Sequence, residues 1–151
     1  MTQDHPFAAL AATWRGIGRG EYPTIADFEY TEEFAITPVP GRPVAHWRSA
    51  TRDATTGEPR HAESGFIRAM PNGIELVVAH TFGIVEATAG SLEGDVLTLR
   101  STGLIGTASA KQVDEVERRY EFDGTVLRYT IAMAAVGVVS THHLEAELKR
   151  V

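Results

Sequence analysis

Cysteine is absent from this sequence of 151 residues. Its absence excludes a disulfide scaffold, a cysteine nucleophile, a thiolate-bound zinc, an iron–sulfur cluster and a thiolate-ligated heme. Long apolar runs are missing as well, because no stretch approaches the roughly 18 residues that a membrane-spanning helix needs. The polar residues 1–6 do not resemble a secretory signal, which begins with a basic and then an apolar segment. We therefore expect a soluble, cytoplasmic protein.

Positive charge is scarce, with 14 Lys and Arg against 20 Asp and Glu and a net charge of −6. Nucleic acid and anionic membrane both require clustered positive charge, so we expect neither as a partner. Hydrophobic residues make up 43% of the chain, which is enough for a sizeable core without metals or disulfides. The length predicts a single domain over residues 1–151.

Alternating hydrophobic residues and short turn signals dominate the chain. Asn72-Gly73 and Asp123-Gly124 are strong hairpin signals, because both central residues of a type I′ turn need positive φ. The segments 74–78 and 127–133 alternate between large apolar and other residues, which indicates strands with one buried face. This pattern predicts ten strands, at 13–20, 28–36, 45–51, 62–69, 74–80, 84–91, 96–101, 113–122, 127–136 and 143–149.

Ten strands joined by short turns, with no long helix between them, predict an all-β fold, either an antiparallel sandwich or a closed barrel. A barrel of this size can enclose a ligand cavity. Before the first strand, Phe7, Leu10 and Ala11 follow a helical spacing behind a possible cap at Asp4, which predicts a short N-terminal helical cap.

Histidines and carboxylates are the candidate ligands, and His142-His143 is the one local pair of histidines. Neighbouring residues of a regular strand point to opposite faces, so at most one of them faces a cavity. The alternative is a polar turn that leads into the last strand. Lys111 and the pair Arg118-Arg119 are open to two interpretations: a solvated strand face, or a cationic rim that binds ligand carboxylates.

Glycines alternate over residues 16–20, but on a strand, so they favour curvature or close approach over dinucleotide binding. The segment 12–18, which also holds Trp14, resembles the Gly-x-Trp-x-Gly-x-Gly signature of the nitrobindins, a family of β-barrel heme proteins. Ala12 stands where the signature has its first glycine, for which we expect a local adjustment. Further matches follow in the family's order at residues 22–25, 28–30, 32–33, 61–66, 75–80, 133–137 and 143–144.

The resemblance implies a single closed, antiparallel, up-and-down barrel of about ten strands, of the lipocalin or fatty-acid-binding-protein type. It also implies heme b at the open end of the barrel. The family's proximal iron ligand is a histidine directly before a leucine, which corresponds to His143 before Leu144. The family's heme-contacting lysine corresponds to Lys111. We therefore expect His143 to be the metal ligand and catalytic residue, with Lys111 as a second cofactor contact.

The function implied by the resemblance is isomerisation of peroxynitrite to nitrate on ferric heme, with nitric oxide bound by ferrous heme. The partners are then small molecules; the sequence leaves the oligomeric state open, a homodimer included. The alternative from another class is a non-catalytic carrier of a fatty acid or similar apolar molecule, which does not need a C-terminal histidine.

Strand alternation conflicts with the resemblance at the iron ligand. If the last strand begins at residue 142, His142 shares the apolar face with Leu144, while His143 shares the other face with Glu145. We retain His143 as the ligand and His142 as the alternative. Residues such as Leu76, Ile131 and Met133 predict a cavity wall with few acid or base groups. His80 is the one distal candidate, with a structural hydrogen-bonded role expected.

Overall fold

Ten antiparallel strands form most of the protein in a computed structural model that describes residues 4–151. The strands are β1 (Ala12–Tyr22), β2 (Ile25–Pro38), β3 (Val44–Asp53), β4 (Pro59–Met70), β5 (Gly73–His80), β6 (Ile84–Glu93), β7 (Val96–Gly106), β8 (Val113–Phe122), β9 (Val126–Ala135) and β10 (Val138–Arg150). Each strand pairs with its neighbours in sequence, and β1 also pairs with β10, which closes the barrel. The predicted all-β, up-and-down barrel is confirmed.

Tight turns join most of the strands, as the sequence indicates. Gly94 and Gly124 have φ values of +58° and +95°, a backbone region in which residues with a Cβ are disfavoured. Because every connection is short, successive turns alternate between the two ends of the barrel. The turns after β1, β3, β5, β7 and β9 therefore meet at one end, and those after the other strands meet at the opposite end.

Alternation along the strands builds a core that fills one half of the barrel. In β9, Leu127 and Tyr129 are buried, whereas Arg128 and Thr130 are exposed. The largest buried apolar side chains of this core are Phe7, Leu10, Trp14, Phe34, Trp47, Ile67, Leu76, Leu97, Leu127 and Leu148. Leu76, predicted as cavity wall, thus belongs to the core.

Residues 4–11 cover the filled end of the barrel, but as turns and not as the predicted helical cap. Their backbone bonds run from Ala8 to His5, from Leu10 to Phe7 and from Ala11 to Ala8, each spanning three residues. The segment is too short to nucleate an α-helix before β1 begins. Phe7 and Leu10 are nevertheless buried, as their spacing predicts.

The alternating glycines of β1 make room for aromatic rings. A Cβ on Gly18 would lie 2.2 Å from the Tyr30 ring, and one on Gly20 would lie 2.1 Å from the Phe28 ring. Tyr30 and Phe28 are the direct partners of these glycines on β2, so the rings lie across the bare backbone. Both rings line the cavity described below. Within residues 4–151, no helix is long and apolar enough to cross a membrane.

Candidate functional site

A cavity of about 570 Å³ occupies the half of the barrel that the core leaves unfilled. Its apolar lining comes from six strands and the β5–β6 turn, and it includes Phe28, Phe82, Ile84, Leu104, Val113, Val116, Ile131, Met133 and Leu144. The polar lining includes His143 on one strand and a group of charged residues and histidines on others. The cavity therefore combines a broad apolar surface with a few polar atoms, the usual composition of a cofactor site.

His143 is held in one tautomer by the backbone. Its Nδ1 lies 2.9 Å from the carbonyl oxygen of Glu21, and a carbonyl can only accept, so Nδ1 carries the proton. Nε2 is then the ring nitrogen with a free lone pair. The Tyr22 ring packs edge-on against the imidazole, with ring centroids 5.3 Å apart. Burial lowers the pKa of His143, although the bond to Glu21 has the opposite effect. The lowered pKa favours the neutral imidazole, which is the form that binds metals.

A β-bulge in β10 resolves the conflict between alternation and resemblance over the two histidines. His142 pairs with Ala132 on β9, but Leu144 pairs with the next residue, Ile131, so His143 is the extra residue. His143 and Leu144 consequently both line the cavity. His142 lies in a groove with Arg119 and Thr130 on the other side of the sheet. Both histidines lie within β10, which begins five residues before the predicted start, so neither is in a turn.

Lys111 lies exposed in the loop between β7 and β8, at the end of the barrel that contains the cavity. Val113, two residues later, lines the cavity. The structure thus places Lys111 near the rim, and contact with a cofactor stays a prediction.

Arg118 is buried at the centre of a charged cluster, contrary to both sequence-based interpretations. Its Nη1 and Nη2 donate to the two oxygens of Glu63 at 2.9 and 2.8 Å, and its Nε and Nη2 donate to the two oxygens of Glu86 at 2.8 Å each. Nη1 also donates to the Tyr120 hydroxyl at 2.9 Å. These five contacts use the full donor capacity of the guanidinium. Arg119 points outward and pairs with Glu121.

Arg118 keeps both carboxylates ionised in spite of their burial. Burial alone would raise the pKa of Glu63 and of Glu86, but the charge and hydrogen bonds of Arg118 outweigh it and lower both. The pKa of Arg118 is raised, since its two carboxylates overcome the opposing effect of burial. Trp47 donates a further bond to Glu63 at 3.0 Å, which connects the cluster to the core. The expectation of a wall with few acid or base groups is therefore wrong.

Two histidines extend the cluster along the cavity wall. His80 Nε2 lies 2.8 Å from Oε1 of Glu86, and His80 Nδ1 lies 2.8 Å from Nε2 of His61. Donor atoms of His61, Glu63 and His80 all lie within 4.8 Å of one another, a spacing that a metal ion could bridge. Arg118 and Glu86 already bind Glu63 and His80, however, so we interpret the group as a hydrogen-bonded network.

A second buried network joins the cavity to the barrel interior. Tyr30, which lines the cavity, shares a 2.7 Å hydrogen bond with Tyr129, and Tyr129 donates to Glu32. Ser49 donates to the other oxygen of Glu32. Burial raises the pKa of Glu32 to about 7, against the lowering effect of these two hydroxyls. Glu32 therefore takes up a proton more readily than an exposed glutamate.

The charged cluster and the network of Glu32 are the parts of the site that our sequence analysis missed, although a signal for them exists. Glu32, Glu63, Glu86 and Arg118 each occupy an inward position of an alternating strand, where apolar residues are usual. Three acidic residues and one basic residue in the apolar phase of four strands indicate a buried ion network.

The sequence matches a family profile over almost its full length, and the fold closely matches a solved structure. The sequence profile described as "THAP4-like, heme-binding beta-barrel domain" matches residues 4–150. The crystal structure of Rv2717c from Mycobacterium tuberculosis superposes with a TM-score of 0.88 and 38% identity. The alignment covers 96% of this chain and 94% of that one.

Several relatives carry the name of an enzyme, and two of them illustrate the similarity. "Peroxynitrite isomerase" of Nocardia farcinica is 41% identical over 95% of this chain and 88% of its own length. "Peroxynitrite isomerase 1" of Mycobacterium tuberculosis strain H37Rv is 42% identical over 99% of each chain. The similarity thus extends over the whole barrel.

Proposed function

Because this chain belongs to the family of THAP4-like, heme-binding β-barrel domains, we propose that it holds heme in its cavity and isomerises peroxynitrite to nitrate. We further propose that ferric heme supports the isomerisation and that ferrous heme binds nitric oxide. Heme is the cofactor of the family, and the relatives named above carry the activity in their names.

One observation in this chain carries the proposal: the neutral imidazole of His143, with Nδ1–H bound to Glu21 and Nε2 free, on the wall of an apolar cavity. Iron ligation by histidine requires an unprotonated ring nitrogen, and a hydrogen bond from the other nitrogen fixes the ring orientation. The apolar surfaces of Phe28, Ile131 and Met133 suit a porphyrin face. The residues present therefore fit the cofactor, with His143 as its ligand.

When bound, heme supplies an iron centre that can act as a Lewis acid toward a peroxide oxygen. The protein provides binding and orientation. Tyr22 and Phe28 pack edge-on against His143 and limit its rotation.

The carrier hypothesis receives less support from the cavity. A fatty acid would present a carboxylate that needs a cation or several hydrogen-bond donors. The two arginines that line the cavity are already engaged, Arg118 by Glu63 and Glu86, and Arg60 by Asp53. A fatty-acid carboxylate bound beside either arginine would have to displace an existing partner.

A stopped-flow assay of peroxynitrite decay tests the proposed function. The heme-loaded protein should accelerate the decay and give nitrate as the product, measured by ion chromatography. The heme-free protein should not accelerate it, and neither should heme-loaded protein saturated with cyanide. Equal rates with and without heme, or no heme uptake at all, would refute the proposal; binding of a fluorescent fatty acid to the heme-free chain would then favour the carrier.

A further inference from the structure

His61 and His80 lie side by side on the cavity wall and share a hydrogen bond. His61 is on β4 and His80 ends β5, with ring centroids 5.1 Å apart and ring planes inclined by 29°. Both rings line the cavity. The His61 ring also packs against Phe82, at a centroid distance of 4.8 Å. The pair is thus a fixed element of the wall and not a mobile surface group.

The ionised carboxylate of Glu86 determines where the protons of this pair reside. A carboxylate can only accept, so the proton of His80 is on Nε2, which faces Glu86 at 2.8 Å. In a neutral His80 ring, Nδ1 is then an acceptor, and it must receive its hydrogen bond from Nε2–H of His61. His61 Nδ1 is left as an acceptor that carries a lone pair.

His61 Nδ1 is exposed, and the His61 residue that carries it lines the cavity. Every buried side-chain nitrogen and oxygen within residues 4–151 has a hydrogen-bond partner. The bond of His61 to His80 uses Nε2. Nδ1 has no partner among the described residues, so it is not buried and can bind a ligand or water. The chain Glu86, His80 and His61 therefore ends in a base that can be reached from the cavity.

The charges around the pair favour one more proton, and they favour it on His80. Glu63 and Glu86 together carry two negative charges, and Arg118 supplies one positive charge. His80 lies between the two carboxylates, with Nδ1 3.6 Å from Glu63 and Nε2 2.8 Å from Glu86. A proton on His80 would make this buried group neutral. Burial lowers the pKa of His61 itself to about 4, so His61 is a poor place for the charge to remain.

We propose that His61 and His80 form a proton relay that takes the proton of a weak acid as it enters the cavity. The incoming proton bonds to His61 Nδ1, the His61 Nε2–H bond breaks, and that proton bonds to His80 Nδ1. His61 is again neutral, with the proton on its other nitrogen, and the positive charge lies on His80 between Glu63 and Glu86. The ligand remains in the cavity as its anion and accepts a hydrogen bond from His61 Nδ1–H.

The chemical class of the ligand rests on the proposed function: it is peroxynitrous acid, the conjugate acid of peroxynitrite. Isomerisation to nitrate consumes no proton, and nitrate is a very weak base, so the relay returns its proton to water after the product leaves. His61 is the group that touches the ligand in this scheme. His80 and Glu86 are positioning residues, since they act through His61.

Nitrogen NMR of the heme-free full-length chain tests the relay independently of catalysis. Long-range ¹⁵N–¹H spectra distinguish Nδ1–H from Nε2–H tautomers, and the variants His61→Gln and His80→Gln assign the signals of the pair. Near neutral pH, both His61 and His80 should be Nε2–H tautomers. As the pH falls, His61 should change to the Nδ1–H tautomer without becoming doubly protonated. If His61 itself becomes the imidazolium, or stays Nε2–H throughout, the relay is wrong.

A proton count on the heme-loaded chain gives a second test. Cyanide enters at neutral pH mainly as the weak acid and binds iron as the anion, so its proton goes to the solvent or to the protein. A pH-indicator dye should record almost no proton release from the unaltered protein and about a full proton per cyanide from His61→Gln. His46, exposed on the outer surface, supplies the matched control, and His46→Gln should behave like the unaltered protein.

The two tests separate the relay from the proposed function. A full proton released by the unaltered protein would overturn the relay even if isomerase activity is present. If the chain takes up no heme, the proposed function fails, and the NMR result decides the relay alone.

Discussion

The imidazole of His143 and the backbone carbonyl of Glu21 form a 2.9 Å hydrogen bond that fixes the tautomer of the histidine. The carbonyl belongs to β1 and the histidine to β10, so closure of the barrel itself creates the contact. Because the acceptor is backbone, no side-chain substitution at position 21 removes it. The orientation of the proposed iron ligand is therefore a property of the fold.

The charged cluster makes stability depend on Arg118. Arg118→Met leaves Glu63 and Glu86 buried without their cation, which should destabilise the protein by about 3–5 kcal/mol at neutral pH. In this variant Trp47 and His80 still bind the two carboxyls, but burial is no longer offset by a cation and should raise each pKa above its unfolded value. The loss should therefore shrink as the pH falls toward about 5, where the carboxyls take up protons. Urea unfolding at both pH values measures the effect.

Arg119→Met is the matched control for this prediction. Arg119 is the next residue, but it is exposed and pairs with the exposed Glu121. Its loss should leave the urea midpoint nearly unchanged, because exposed ion pairs contribute little. Equal effects of the two substitutions would contradict the account of the cluster.

Deprotonation of Glu32 should make the free energy of unfolding decrease as the pH rises. Its pKa is raised from 4.5 to about 7 by burial, so the folded state keeps a proton that the unfolded state loses across this window. The contribution of this group is fully present below about pH 4.5 and is lost by about pH 7, a change of about 3 kcal/mol. Glu32→Gln should remove this decline, as measured by thermal unfolding against pH.

The neighbouring Glu33 provides the comparison for Glu32. Glu33 is exposed and pairs with Arg15 on the outer surface, so Glu33→Gln should retain the pH dependence of the unaltered protein. If Glu32→Gln retains it as well, the carboxyl of Glu32 is ionised in the folded state, contrary to our account.

Gly18 should tolerate no side chain. The Cβ of Gly18→Ala would meet the Tyr30 ring at 2.2 Å and push it from its hydrogen bond with Tyr129. Such overpacking typically costs about 1–3 kcal/mol, which urea unfolding would register. Gly103→Ala, on β7, is the control, because a Cβ there meets no atom of the described residues within 4 Å. A Gly18→Ala variant as stable as Gly103→Ala would show that the ring moves without cost.

Lys111 should contribute modestly to heme retention. Its ammonium group can pair with a heme propionate from the rim, and an exposed pair of this kind is weak and screened by salt. Heme transfer from Lys111→Ala to apomyoglobin should be slightly faster than from the unaltered protein, with a larger difference at low salt. The other lysine of the sequence, Lys149, lies at the filled end, and Lys149→Ala should show no difference. Equal rates for both variants would remove Lys111 from the site.

The fold was largely predictable because its determinants are local. The alternation over 74–78 and 127–133 and the glycines at 94 and 124 each specify a strand face or a turn without reference to distant residues. Closure of the sheet into a barrel is not determined by local sequence, and it was predicted from the family resemblance alone. The helical cap failed because a helical spacing of apolar residues also suits a short run of turns.

The site was less predictable because its geometry depends on strand pairing. The bulge after His142 shifts the alternation of β10 by one residue and brings His143 to the cavity. Regular alternation would place His143 on the outer face. Arg118 meets Glu63 and Glu86 only because the barrel places three separate strands around one point. Neither relationship is encoded in a short motif.

Absorption spectroscopy during titration with hemin tests the central claim, that His143 is the iron ligand in this cavity. The unaltered protein and His142→Ala should both give a shifted Soret band that saturates with heme. His143→Ala should lose this band and bind heme much more weakly, since its cavity lacks the imidazole nitrogen. A normal Soret band in His143→Ala, together with its loss in His142→Ala, would contradict the account and assign the iron to His142.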